Sequence, residues 1–449
     1  MILQLIILII IFWSLFSLIR RQYFTSAFLF VLMSSRGLCI VPESDSGIRL
    51  TYGTFIYIIL FILLHKKYIH KFYNNYKLNK PIIIFILFII SSIFFSILYY
   101  GFPIISSITI GVKYFVVLSL FVFCLLNHHD YQKLIRILFY ITFITSILYC
   151  LQCVTGLQLL AYTLEAHETP TSNGLYRFYN SPPLIQYYLC ISLFYTEIIP
   201  KKCRLIAPIV FMLAILLSNG RTAIITSFIT ILIINFILGK FKRQIKIYVL
   251  LGILILALYP LMSQRMDNDG KTFSDIEYIL KGDIFAGDYQ SKDGMTMLYR
   301  FAWVYERWLY LKNEPFPEIL FGLGMVHDGM PEVNQRYHFL YGLINKETGN
   351  VFQVRTPDIA WGNYLTCYGI LGSILYFLII FRIIGITYEK RKQNTIATIL
   401  YSIILVSFIN SFSGTEYSEP YNLIGVSLFF NYIIKNERKK EIISYHSML

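Results

Sequence analysis

In the stretch LLSNGRTAII, residues 216–225, an arginine closes a short polar break between the apolar runs 205–217 and 222–238. Ser218, Asn219 and Gly220 already supply the tight backbone geometry of a turn, so the permanent charge of Arg221 adds chemistry that the turn does not need. Arg36 and Lys113 fall inside apolar runs, and Arg177 and Arg49 lie between runs. An ionisable group within a hydrocarbon layer is costly unless it faces a cavity or a partner. A positively charged cavity is the simplest reading common to Arg36, Lys113, Arg177 and Arg221. For each taken alone, snorkelling to lipid phosphates or a structural pair is the competing account. Arg49 reads as a plain loop residue.

The elements that position these side chains follow from composition. Of 449 residues 56% are apolar and 17% aromatic, and the mean hydropathy is +0.60, which excludes an ordinary water-soluble domain. Apolar runs near 1–19, 22–41, 51–64, 81–100, 104–126, 137–155, 183–199, 205–217, 222–238, 247–262, 361–381, 395–413 and 421–434 approach the roughly 20 residues that span a bilayer core. The expected fold is all-α, a polytopic integral membrane protein of about 13 transmembrane helices. Its parts are a bundle of about ten spans over 1–262, a partly helical extracytoplasmic loop over 263–360, and three spans with a basic tail over 361–449. The runs 51–64 and 205–217 are short and need flanking residues or a thinner bilayer.

Orientation follows from charge. Every second short connection is basic, and together these hold 24 of the 39 Lys and Arg residues, which puts them in the cytoplasm, the C-terminus with them and the N-terminus outside. The stretch 263–360 then lies outside, and it carries 14 acidic against 10 basic residues. The pI of about 9.2 therefore reflects topology and gives no reason to expect nucleic acid as a partner. Both flanks of 205–238 are basic, so that segment is expected to be a hairpin with Arg221 on the outer face, against the charge rule.

At the level of motifs the chain resembles the O-antigen polymerase and O-antigen ligase superfamily. LLSNGRTAII is similar to the family's small-residue and Arg turn that opens a span. YRFYNSPPLIQYYL (176–189) resembles its Arg, aromatic, Asn-Pro approach to a helix. LYRFAWVYERWLYLKNEPFPEILFGLGM (298–325) resembles the loop signature of an Arg, an aromatic helix, then Pro and Gly-x-Gly. DIAWGNYLTCYGILGSILY (358–376) resembles the loop's end, a polar residue ahead of a Gly-x-x-Gly that enters the next span. The fragments cover a minor part of the chain; their order and the matching topology carry the resemblance. Where ligases of this group have His-Asn, this chain has Asp358-Ile359, which favours the polymerase and leaves the general base open.

The resemblance implies a glycosyltransferase of surface polysaccharide or lipopolysaccharide biosynthesis in a bacterial inner membrane. Its expected partners are undecaprenyl-diphosphate-linked oligosaccharide and membrane lipid, with flippase and chain-length regulator proteins beside them. A diphosphate leaving group gains negative charge and needs positive groups aimed at its oxygens, and arginine binds phosphate bidentately while staying charged. Arg221, with Arg177 and Arg300 or Arg355, is expected to hold the diphosphate, with Arg36, Lys113 and His338 as further substrate contacts. Asp358 is the first candidate for the base that takes the attacking hydroxyl's proton; an N-cap of the following helix is its structural alternative, and Glu168 and His338 are the rivals. No cofactor is expected, and a metal is optional where arginines take its role.

Residues 295–312 have an amphipathic period, with Leu298, Phe301, Ala302, Tyr305, Trp308 and Leu309 on the apolar face. Trp303 and Trp308 are expected at the membrane interface or against sugars. The seven cysteines, including Cys150 and Cys153, lie in or beside spans and read as buried thiols. His128 and His129 read as a solvated cytoplasmic loop, and His327 is a weaker candidate for a base or sugar contact. The alternatives kept open are a ligase transferring polymer to a lipid A-core acceptor, and a transporter or flippase of lipid-linked or anionic solutes. Paired halves would favour the last, and no internal repeat is seen.

Overall fold

The computed structural model describes residues 2–42, 49–74, 76–161, 169–170, 175–178, 181–218, 221–239, 277–285, 297–342, 351–356, 359–411 and 420–448, with isolated positions between them. These described residues are about 77% helical with nearly no strand among them, an all-α polytopic architecture. Among the described residues, six helices are long and apolar enough to cross a membrane: Ile2–Ile19, Leu50–Lys67, Asn79–Leu98, Ile104–Leu125, His128–Thr155 and Ala360–Lys390. Every expected apolar run but 247–262, which lies outside the described residues, falls on a helix.

In chain order these are α1 (Ile2–Ile19), α2 (Tyr23–Ser34), α3 (Leu50–Asn74), α4 (Asn79–Leu98), α5 (Ile104–Lys113), α6 (Ser119–Val122), α7 (His128–Thr155), α8 (Ile185–Phe194), α9 (Ile206–Leu217) and α10 (Arg221–Leu238). Then come α11 (Met297–Asn313), α12 (Phe316–Phe321), α13 (Pro331–Arg336), α14 (Ala360–Lys390), α15 (Thr395–Asn410) and α16 (Pro420–Met448). Several helices in the bundle, α2, α8, α9, α10 and α15, are shorter than a full crossing. The run 51–64 borrows flanking residues, as expected: past a kink at His65, α3 carries on through Lys66 and Lys67.

Contacts at the helix ends fall into two sets. In one, the Lys133 ammonium lies 4.6 Å from the Phe24 ring centre, Arg382 Nε donates to the Tyr76 carbonyl at 3.1 Å, and Lys435 lies over Tyr131. Lys133, Arg382 and Lys435 of the basic connections take part in this first set. In the other, the Ala161 amide donates to the Cys39 carbonyl at 3.0 Å, Tyr149 Oη donates to Phe178 O at 2.8 Å, and the Met325 amide donates to Ser96 Oγ at 2.8 Å. Helices within the bundle are joined by few but buried polar contacts, such as Asn431 Nδ2 to Leu120 O at 2.8 Å and Ser119 to Ser427 at 2.7 Å, the interhelical bonds that an apolar solvent favours.

The expected straight span over 361–381 is bent. Gly369 has φ 62° and ψ −166° within α14, and the rings of Trp361 and Phe377 approach to 4.4 Å. In a straight helix those positions would be about 24 Å apart. A short arm, 360–368, thus folds back on a long arm, 370–390. The Leu323 amide donates to the Thr366 carbonyl at the bend at 2.5 Å, so the end of α12 docks into it.

Candidate functional site

Of the residues singled out in sequence, Arg36 and Arg177 fall in one neighbourhood and Arg355 in a second. In the first, Arg36 does not sit within a span as expected. α2 ends at Ser34, and Arg36 opens a tight turn, Arg36–Cys39, because Arg36, Gly37, Leu38 and Cys39 all have positive φ, between 50° and 61°. A left-handed residue other than glycine costs about 1–2 kcal/mol and persists where its surroundings hold it. Here the Leu38 amide bonds Ser35 O at 2.8 Å, and the Ala161 amide bonds Cys39 O. Cys39, Tyr149, Cys153, Leu160, Phe178 and Ala214 form a compact apolar cluster under the turn. Arg177 pairs in a short antiparallel ladder with Thr169, is half-buried, and lies close enough for its charge to act on the Tyr149 hydroxyl. The structure thus brings the Arg36 turn and Arg177 onto the end of α7.

Arg221 is the first residue of α10, a short turn after the end of α9. Its side chain, with Asn219 and Gly220 of the turn, lies outside the described residues. So do Asp358 and Glu168, the two carboxylate candidates for the base.

The second neighbourhood is the segment after α11. Arg307 is fully buried and ties this segment together: its guanidinium donates to the carbonyls of Tyr341 at 2.6 Å, Phe352 at 2.9 Å, Gln353 and Trp303 at 3.3 Å, and to Glu306 Oε2 at 2.6 Å. Its charge also lies between Trp303 and Phe339, 4.3 and 4.4 Å from their ring centres. Burial pulls its pKa down to about 9, and Glu306 opposes that. Asp328, also buried, accepts the amides of Gln353 and Val354 at 2.7 Å and of Arg355 at 2.9 Å. Burial raises its carboxyl, and these N–H groups pull the other way. Asn363 then clamps Thr356 from both sides, accepting its amide at 2.8 Å and donating to its carbonyl at 2.7 Å.

The backbone of 353–356 is therefore fixed, and the half-buried Arg355 with it. Arg355 acts electrostatically on Tyr114 and Cys367. Tyr114 follows Lys113, where α5 gives way to a 3-10 turn. Lys113 remains inside the apolar run, as expected, and is half-buried at that break. Arg355 is thus brought beside the Tyr114 hydroxyl, next in the chain to Lys113.

Two other expectations need correction. The helix expected over 295–312 is present as α11, but its buried face is Leu298, Tyr299, Ala302, Trp303, Arg307 and Leu311, while Phe301, Tyr305 and Leu309 are exposed. Trp303 is wholly buried, with Nε1 donating to Phe352 O at 3.4 Å, so it neither anchors at an interface nor stacks on a sugar. The helix is turned because a buried arginine with carbonyl partners takes the place that apolar residues were expected to fill. Arg300 stands apart from the other cations, at the edge of an apolar cavity of about 340 Å³ between α11 and the bend of α14. His338 is exposed between the buried Tyr337 and Phe339.

Arg307, Asp328 and Asn363 were missed in sequence. Their partners are mostly backbone groups 7 to 46 residues away, and no spacing rule signals such bonds. The buried thiols fit expectation: Cys39, Cys124, Cys153, Cys190 and Cys367 are buried and none of the seven is in a disulfide. No family model matches the chain, and a search of curated proteins finds no match either.

Proposed function

We propose that this chain polymerises lipid-linked oligosaccharide repeat units of a surface polysaccharide at the outer face of a bacterial cytoplasmic membrane. In this reading the chain has about 13 spans, with the basic turns cytoplasmic by the positive-inside rule and the cationic neighbourhoods outside. The observation that supports it is the meeting of the Arg36 turn and Arg177 at the end of α7, with Arg355 held in a second neighbourhood beside Tyr114.

A hydroxyl of one repeat unit attacks the anomeric carbon of the other chain. The new C–O bond forms as the bond to the diphosphate breaks, the electron pair leaves with undecaprenyl diphosphate, and the hydroxyl proton passes to a base, for which Asp358 is the proposed group. The cations stabilise the charge that develops on the leaving diphosphate. Arg307 and Asp328 act at one remove, by holding the 353–356 backbone. Deleting the gene and resolving surface glycan on a gel tests the reading. Loss of polymer with a single repeat unit still attached supports it. Loss of all repeat units would make the chain a ligase, and lipid-linked precursor stalled inside would make it a transporter.

A further inference from the structure

The cavity beside Arg300 has a different chemistry from the cationic neighbourhoods. Its walls are Phe301 and Val304 of α11, Trp361 and Leu365 of the short arm of α14, and Ile374 and Phe377 of the long arm. Gly369 makes it, because only the fold at that glycine turns one helix into two facing walls. It opens beside residues that face away from the protein: Ile374, Leu378 and Phe381 are each about half exposed, and Phe301, Tyr305 and Leu309 form an exposed stripe on α11. On a membrane-spanning chain the flank of the long arm faces hydrocarbon, with the α11 stripe beside it. The one charged group on the wall is Arg300, half-buried, with Nε buried and without a hydrogen-bond partner among the described residues. A buried guanidinium N–H left unpaired is costly, and an anion at this point would satisfy it.

We propose that the bend of α14 is a site for an anionic phospholipid, with one acyl chain between the two arms and α11 and the phosphodiester on Arg300. A volume of about 340 Å³ is at the small end of the roughly 300–1,000 Å³ typical of ligand pockets. It suits a stretch of one hydrocarbon chain, and its walls offer almost nothing to a sugar. A single arginine matches the single charge of a phosphodiester, whereas a diphosphate calls for several cations. This goes beyond the polymerase reading and takes Arg300 out of the proposed diphosphate site. Such a lipid would brace the bend at Gly369, and through it the docked end of α12.

The test is native mass spectrometry of the full chain, delipidated and returned to nanodiscs of phosphatidylcholine with added phosphatidylglycerol. A photoreactive residue placed at Phe377 provides a second readout. One phosphatidylglycerol retained per chain and crosslinked at position 377 is expected, with retention lower by at least about tenfold in Arg300→Gln from loss of a charge-assisted contact. Inorganic phosphate should not compete, since it has no chain to bury. Equal retention by Arg300→Gln overturns the proposal, as does absence of the crosslink in otherwise wild-type protein, which holds even should Arg300→Gln fail to fold. Displacement of phosphatidylglycerol by undecaprenyl phosphate, dependent on Arg300, overturns it in favour of a substrate groove. None of these outcomes depends on whether the chain makes polymer, so the two readings fail separately.

Discussion

Gly322 and Gly369 meet backbone to backbone: a Cβ on Gly322 would stand 2.7 Å from the Gly369 nitrogen, and a Cβ on Gly369 would stand 2.5 Å from the Gly322 nitrogen. Both have positive φ, 76° and 62°. Tyr100 Oη and the Tyr337 hydroxyl fasten the same segment from either side, donating to Gly322 O at 2.5 Å and Leu323 O at 2.7 Å. Two glycines far apart in sequence thus form one joint between the segment after α11 and α14.

Alanine at either position must leave a left-handed conformation or open the joint. Gly322→Ala and Gly369→Ala are each expected to destabilise by at least about 1–3 kcal/mol. A joint made of both should give a double mutant less destabilised than the sum of the two. Thermal unfolding of the purified chain measures this, and additive effects would show that the glycines act separately.

Arg307 bonds four carbonyls and a carboxylate from a fully buried position. Arg307→Met should cost about 3–5 kcal/mol, since it leaves the Glu306 carboxylate without its cation. Arg307→Lys keeps the charge and loses the planar fork, and should fall between wild type and the methionine variant. Faster proteolysis within 297–356 in both variants is the expected readout; unchanged protection would remove Arg307 as the tie of this segment.

For the proposed reaction, Arg177→Ala, Arg221→Ala and Arg355→Ala should each lower polymer formation by roughly 100- to 1000-fold at normal abundance in the membrane. Arg221→Lys should retain more activity than Arg221→Ala. Full-length glycan from Arg221→Ala would reduce that residue to a lipid anchor.

Asp358→Asn separates a base from a helix cap, because Asn caps about as well and takes no proton. The expected result is loss of polymer by roughly 100- to 10,000-fold with the protein still in the membrane. A normal glycan ladder would turn the search to Glu168 and His338.

Burial raises the Glu318 carboxyl above its ordinary 4.5, although Arg336 stands 3.1 Å away. The folded chain therefore holds this proton to a higher pH than the unfolded one. The associated stability is fully present below about 4.5 and is lost as pH rises through the folded value. The Tm of wild type relative to Glu318→Gln should therefore fall from strongly to mildly acidic pH. A difference that grows with pH would show that the charged pair, and not burial, governs this site.

The sequence by itself determined the apolar helices and the alternation of basic turns, because both depend on local composition: a run of about 20 apolar residues needs no partner to be legible. It also picked out Arg36, Lys113, Arg177 and Arg221 as charges placed against the general pattern. It did not show the bend in α14, since Gly369 lies in a run whose hydropathy is unbroken and only the arrival of Gly322 gives that glycine its task. Nor did it show which face of α11 is buried. Periodicity ranks faces by apolarity, and here the buried face carries an arginine whose solvation is replaced by carbonyls from residues 341, 352 and 353. Tertiary structure decided these features because each depends on groups that the chain brings together only when folded.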